Sequence, residues 1–127
     1  AGVSQIGLMG LVACQAAYAH GDEWYEGMLS YVRGNIDYVR SFVEERLPDV
    51  RMIDLEGTYL VWIDCRASSI GSDATTLRLQ EEQKLMVNSG TLYGPGGEGF
   101  IRLNIACPRT LLADGLERIA HVLVQNF

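Results

Sequence analysis

A glycine-rich loop that leads into an alternating strand constrains this sequence more than any other feature. The stretch SGTLYGPGGEGFIRLNIACPR covers residues 89–109 and opens with five glycines and Pro95, which disfavour both helix and regular sheet. We refer to residues 90–99 as the glycine loop. Apolar and polar residues then alternate over residues 100–106, a pattern that predicts a strand with one buried face. Pro108 is expected to end this strand and to suit the first turn of a helix.

Arg102 stands in the middle of the predicted strand, on the same face as Phe100 and Asn104. A guanidinium keeps its charge at every physiological pH, and burying it without a partner is costly. Its face of the strand must therefore meet either water or a carboxylate, and the planar fork of arginine suits two-point recognition of a carboxylate. That carboxylate can come from a ligand, or from the chain itself at Glu56, Glu98 or Asp64.

The rest of the chain alternates between helical and extended patterns. Residues 3–18 predict an apolar helix, residues 23–46 a long amphipathic helix and residues 73–84 a third, with a last helix after Pro108. Short strands are predicted at residues 51–54, 59–65 and 85–88, the first two joined by a turn. The predicted fold class is α+β, with a small, mainly antiparallel sheet packed by helices. Its core is expected to contain three aromatic residues, Trp24, Tyr59 and Trp62.

Composition argues against several classes of partner and site. A net charge of −6, with no cluster among the ten lysines and arginines, argues against a nucleic-acid or anionic-membrane partner. The apolar opening has no basic residue before it and is interrupted by Ser4, Gln5 and Gln15, so neither a signal peptide nor a membrane span is expected. Three cysteines without a CxxC motif indicate a reducing compartment, which we interpret as the cytoplasm. The histidines and cysteines show no ligand spacing, so no metal site is predicted.

The motif GxxYGxGGEGFIRLNIACPR, together with EGTYLVW at residues 56–62, resembles the C-terminal part of the class I/II aminotransferase superfamily. Members of this superfamily are pyridoxal-phosphate enzymes of fold type I, and the chain is most similar to the MalY/PatB cystathionine β-lyase branch. The resemblance spans nearly the whole sequence and implies an N-terminally truncated chain. Residues 1–20 would be a helix of the large domain or of the interdomain connection, and residues 21–127 the C-terminal small domain.

The resemblance also implies roles for individual residues. Arg102 falls on the family's arginine that binds the substrate α-carboxylate, and Tyr93, Thr58 and Tyr59 are further candidates for lining the substrate cleft. The family's Schiff-base lysine and cofactor-binding residues lie upstream of the segment that matches this chain, so neither catalytic nor cofactor-binding residues are expected here. Lys84 is the only lysine, and its acidic neighbours stabilise the ammonium form instead of favouring a Schiff base.

The implied parent enzyme carries pyridoxal phosphate and cleaves the carbon–sulfur bond of cystathionine or of a cysteine S-conjugate. Transamination of an amino acid is the alternative within the same superfamily, and the fragment alone is expected to be inactive. A different class of function remains open, namely a non-catalytic module that binds a carboxylate ligand or a protein partner. The apolar first helix is expected to be covered by the missing large domain or by a second copy, so a homo-oligomer, such as a homodimer, is predicted.

Overall fold

The computed structural model describes residues 7–125, which form helices joined by short strands and loops. The helices are α1 (Leu8–His20), α2 (Asp22–Arg46), α3 (Ser72–Gln83) and α4 (Arg109–Val124). The strands are β1 (Arg51–Met52), β2 (Leu60–Asp64), β3 (Asn88–Ser89) and β4 (Phe100–Asn104). The chain divides into two compact units, the first reaching to Tyr31 and the second beginning at Val32, within α2.

The first unit contains α1 and the first part of α2. Gly21 ends α1, and its backbone N–H donates to the carbonyl oxygen of Ala17 at 2.8 Å. No residue of α1 is buried, and Trp24 on α2 is 73% exposed. The prediction that Trp24 is a core residue is therefore wrong, because a large apolar side chain is buried only where another element of the chain packs against it. The predicted start of the first helix, at residue 3, lies outside the described residues.

The second unit is built around a four-stranded sheet in the order β1-β2-β4-β3, with every neighbouring pair antiparallel. The register places Trp62 of β2 opposite Arg102 of β4, and Asn88 of β3 opposite Arg102 on its other side. Helices α3 and α4 pack on each other, and α3 also contacts β3 and β4. The predicted α+β class, with its mainly antiparallel sheet, is confirmed.

Side chains alternate between a buried and an open face of this sheet, as the strand geometry requires. Val61, Ile63 and Ile101 are fully buried, and the core continues through Leu79 of α3 and Ile119 of α4. The opposite face, which we call the open face, is half-buried or exposed. Its side chains are Leu60, Trp62, Asp64, Phe100, Arg102 and Asn104.

Two further predictions of core residues are wrong. Tyr59 is 46% exposed at the start of β2, and Trp62 is only half-buried on the open face. Hydrophobicity alone made these residues appear internal, whereas the pleat of β2 directs the Trp62 side chain away from the helices.

Asn35 connects α2 to the segment that follows β4. It is fully buried, and its Nδ2 donates to the carbonyl oxygens of Ile105 at 2.7 Å and Cys107 at 3.1 Å. Its Oδ1 accepts a hydrogen bond from Nε of Arg109 at 2.8 Å, in the first turn of α4. A single side chain thereby ties α2, the end of β4 and the start of α4 together, and so fixes the strand that carries Arg102.

The glycine loop is more ordered than the sequence predicted, since it contains two short 3-10 turns at Gly90–Tyr93 and Pro95–Gly97. Gly90 and Gly97 approach each other so closely that a Cβ atom on either would overlap the backbone carbonyl of the other. Gly94, between the two turns, has a φ of 115°, which L side chains rarely adopt. The loop is therefore folded back on itself at positions that only glycine fits.

Candidate carboxylate-binding site

Arg102 projects from β4 on the open face, between β2 and β3. Its Nη2 donates to Oδ1 of Asn88 at 2.9 Å, and its guanidinium carbon lies 4.4 Å from the centre of the Tyr93 ring. Its Nε is buried and has no hydrogen-bond acceptor among the described residues. The cation is thus held in place by a neutral amide and an aromatic ring, while part of its donor capacity is unused.

The carboxylates that the sequence offered as partners for Arg102 bind elsewhere or form no ion pair with it. Asp64 accepts two hydrogen bonds from the Arg66 side chain, at 2.9 and 2.7 Å, and this contact lowers the pKa of Asp64 below its usual value. Oε1 of Glu98 accepts from the backbone N–H of Ser72 at 3.3 Å. Within residues 7–125, Arg102 forms no ion pair with a carboxylate, and Glu56 is exposed.

A shallow apolar cavity of about 540 Å³ lies beside this cation on the open face. Its walls are the side chains of Ile53, Trp62, Tyr93 and Phe100 together with residues 94–97 of the glycine loop. The Trp62 ring meets the Tyr93 ring edge-on at 5.3 Å and the Phe100 ring at 6.3 Å. The described residues thus place a cation, which can bind an acidic group of a ligand, beside an apolar wall, which can contact an uncharged group of the same ligand.

The structure brings together only two of the four residues that the resemblance proposed for substrate binding. Tyr93 contacts Arg102 directly, whereas Thr58 and Tyr59 lie just before β2, near the strand end that pairs with Asn104. Thr58 has a positive φ of 68°, and its Oγ1 accepts from the backbone N–H of Leu60 at 3.2 Å. Thr58 and Tyr59 thus form part of the turn into β2, and the substrate roles of all four residues stay predictions.

The other side chains that could form a Schiff base, act as nucleophiles or bind a metal do not lie together at this site. Lys84 ends α3, where its Nζ donates to the carbonyl oxygen of Glu81 at 2.8 Å. The three cysteines are free, and burial raises the pKa of the Cys65 thiol to about 12, so that thiol stays protonated. Within the described part of the chain, no group of three histidine, cysteine or acidic side chains is arranged to hold a metal ion.

No described helix has both the length and the hydropathy that crossing a membrane requires.

Asn88, Trp62 and Phe100 are the site residues that sequence reasoning missed. Phe100 could have been found, because alternation already placed it on the face of Arg102. Asn88 and Trp62 depend on the register between strands, which brings both of them opposite Arg102. A single sequence carries little information on that register, because residues distant along the chain determine it.

Comparison with known proteins finds relatives over almost the whole chain, although no family model matches it. The chain is 34% identical to cystathionine β-lyase PatB of Bacillus subtilis and 31% identical to protein MalY of Escherichia coli, in each case over 96% of its own length. It spans about a third of these curated relatives, namely 32% of PatB and 31% of MalY.

A solved structure with the same fold is cystalysin from Treponema denticola, which contains a pyridoxal 5′-phosphate cofactor. The match has a TM-score of 0.88 and 30% identity, and it covers 95% of this chain and 31% of cystalysin. The chain is therefore similar in sequence to PatB and MalY and has the fold of the matching part of cystalysin, and it fits a C-terminal domain of such a longer protein.

Proposed function

We propose that this chain is the C-terminal, substrate-binding domain of a pyridoxal-phosphate-dependent enzyme that cleaves the carbon–sulfur bond of cystathionine or another cysteine S-conjugate. Arg102 binds the α-carboxylate of the amino-acid substrate, and Tyr93 lies beside it. Thr58 and Tyr59 border the same cleft more remotely. The identities to PatB and MalY, at 34% and 31%, support this class of enzyme.

The observation that most strongly supports the proposal is that the Arg102 guanidinium has no carboxylate partner within residues 7–125. Asn88 and the Tyr93 ring contact Arg102, but neither neutralises its charge. Its buried Nε finds no acceptor in the part of the chain that the structure describes, a situation that costs about 1–3 kcal/mol for a typical buried polar group. An incoming carboxylate would neutralise the guanidinium and would add charge-assisted hydrogen bonds, which are about twice as strong as neutral ones.

The apolar cavity beside Arg102 favours a substrate whose side chain carries no net negative charge. No lysine or arginine is among the described residues that line it, so an acidic side chain would find no counter-charge there. A thioether is polarisable and apolar, and it makes favourable contacts with aromatic rings such as those of Trp62 and Tyr93. This arrangement supports a sulfur amino acid as substrate over aspartate or glutamate.

The described residues do not fit a pyridoxal phosphate site. The only lysine, Lys84, is bonded to a backbone carbonyl at the end of α3, away from Arg102 and its cavity. We therefore propose that another part of the enzyme binds the cofactor, which supplies an electron sink for negative charge at the substrate α-carbon. The contribution of this chain is to hold the carboxylate so that the bonds to be broken are correctly oriented.

The proposal extends to domain organisation and assembly. Residues 1–20 belong to the large domain or its connection and residues 21–127 to the small domain. The apolar residues of α1, none of them buried within the described chain, pack against the remainder of the enzyme or a second copy. Three free cysteines are compatible with a cytoplasmic location.

The test uses the full-length enzyme that contains this chain. Replacing Arg102 by alanine should raise KM for the amino acid about 100-fold, because a hydrogen bond to a charged group contributes about 1.5–3 kcal/mol. The visible absorbance of the bound cofactor should not change. Arg46→Ala is a matched control, since Arg46 forms an exposed ion pair with Glu117 at 3.0 Å. An unchanged KM for Arg102→Ala would remove the assigned role.

Transamination remains the second candidate, because it requires the same hold on the α-carboxylate. Product analysis separates the two reactions. Carbon–sulfur cleavage releases pyruvate, ammonia and a thiol, whereas transamination yields a 2-oxo acid that retains the sulfur side chain. We expect pyruvate and thiol in equal amounts.

A further inference from the structure

We propose that the first turn of α3 positions the carboxylate-binding site, because Ser72 and Asp73 hold the glycine loop so that Tyr93 rests on the Arg102 guanidinium. This inference rests on the proposed function of Arg102 and adds two positioning residues that contact neither Arg102 nor the cavity. It is carried by hydrogen bonds at both ends of the loop.

Asp73 holds the entrance of the loop. Its Oδ1 accepts hydrogen bonds from Oγ of Ser89 at 2.5 Å and from Oγ1 of Thr91 at 2.6 Å. The two hydroxyl oxygens lie 2.9 Å apart, so the three side chains form one closed cluster. These hydrogen bonds lower the pKa of Asp73, which keeps the carboxylate in its charged, accepting form.

Ser72 holds the exit of the loop. It is 1% exposed, and its Oγ accepts a hydrogen bond from the backbone N–H of Gly99 at 3.2 Å. Its own backbone N–H donates to Oε1 of Glu98 at 3.3 Å. Consecutive residues of one helical turn therefore bind the two ends of the loop, although those ends are nine positions apart in sequence.

The hydrogen bonds at the ends of the glycine loop also restrict the position of Tyr93. Tyr93 ends the 3-10 turn Gly90–Tyr93 and follows Thr91 by two residues. Gly94 donates its N–H back to the carbonyl oxygen of Thr91 at 3.2 Å, which closes that turn. Because Gly90 and Gly97 leave no space between their backbones, the turn has little freedom to slide. The position of the Tyr93 ring, 4.4 Å from the Arg102 guanidinium carbon, is thus set by the contact of Thr91 with Asp73.

Asp73 itself lies at the surface, although Ser89 of the same cluster is buried, which makes a purely stabilising role of Asp73 the weaker explanation. Asp73 is exposed, and α3 contributes to the core through Thr75 and Leu79 instead. Losing the cluster should release the loop without unfolding the helix. We expect loss of the Asp73 cluster to weaken substrate binding, because a carboxylate binds more tightly to an arginine whose side chain is already ordered.

The experiment measures KM and kcat of the full-length enzyme for a cysteine S-conjugate, with two pairs of variants. Thr91→Val and Asp73→Ala remove the hydrogen bonds, whereas Thr91→Ser and Asp73→Asn keep a hydroxyl and an acceptor oxygen. The first pair should raise KM about 5- to 10-fold with kcat within about twofold, and the second should stay near the parent. Thr76→Val is the control, since Oγ1 of Thr76 donates to the backbone of Asp73 and not to the loop.

Three results would overturn the inference. These are an unchanged KM in Thr91→Val and Asp73→Ala, a parallel loss of kcat and thermal stability in those variants, and a failure of Thr91→Ser to restore KM. The proposed function is tested separately by Arg102→Ala. If Arg102→Ala raises KM but Thr91→Val does not, the positioning role alone is refuted. If Arg102→Ala leaves KM unchanged, the carboxylate role of Arg102 is refuted as well.

Discussion

Replacing Asn35 by leucine is expected to destabilise this chain by about 3 kcal/mol, although the two side chains are similar in size. Asn35 is fully buried and makes three hydrogen bonds, to the carbonyl oxygens of Ile105 and Cys107 and from Nε of Arg109. Leucine can neither donate nor accept, and the buried position gives little access to water. The Asn35→Leu substitution therefore removes the hydrogen bonds that link α2 to the end of β4 and to the start of α4.

The magnitude follows from how deeply each of these groups is buried. The bond to Ile105 is buried, and an unsatisfied buried group costs about 1–3 kcal/mol. The bonds to Cys107 and from Arg109 are partly buried, so water recovers part of their loss. The apolar surface that leucine buries offsets a fraction of the total, which leaves about 3 kcal/mol.

Urea-induced unfolding of the chain, followed by far-UV circular dichroism, measures this effect. With a slope of about 2 kcal/mol per molar urea, the midpoint should fall by about 1.5 M. Ser41→Ala, an exposed substitution on the same helix, is the control and should stay within about 0.5 kcal/mol of the parent. A midpoint shift for Asn35→Leu no larger than that of the control would refute the reasoning.

Three further outcomes follow from the structure. Iodoacetamide at about pH 8 should modify exposed Cys14 well before Cys65, whose buried thiol has a pKa raised to about 12, and equal rates by mass spectrometry would count against this. The Arg66 hydrogen bond lowers the pKa of Asp64, so the unfolded chain binds more protons in acid. Thermal unfolding should accordingly show that Asp64→Asn loses less stability than the parent below about pH 5. Gly90→Ala should lower the melting temperature by several degrees, because its Cβ overlaps a backbone carbonyl across the loop; an unchanged value would contradict the close approach.

The regular elements could be predicted because their patterns are local. The long helix was expected at residues 23–46 and extends over Asp22–Arg46, and the alternating strand was expected at residues 100–106 and extends over Phe100–Asn104. Alternation also placed Arg102 and Phe100 on one face correctly. The third helix was expected at residues 73–84 and extends over Ser72–Gln83, and the first two strands pair antiparallel as expected.

The parts that could not be predicted depend on what packs against a residue. Trp24 and Tyr59 looked internal because they are large and apolar, but the described chain leaves them 73% and 46% exposed. Asn35 received no role, although it lies three residues after Val32 and four before Val39 on the buried stripe of α2. A polar residue on an apolar stripe indicates a buried hydrogen bond, and its partners near Ile105 are 70 positions away in sequence.

A crystal structure of the full-length enzyme with a bound, unreactive amino acid would test the role of Arg102 most directly. If Arg102 binds the substrate, the two oxygens of the α-carboxylate should lie about 2.7–2.9 Å from guanidinium nitrogens of Arg102. Asn88 and the Tyr93 ring should keep their present contacts with that guanidinium. A substrate carboxylate bound to another cation, or a protein carboxylate already paired with the Arg102 guanidinium, would contradict this role of Arg102.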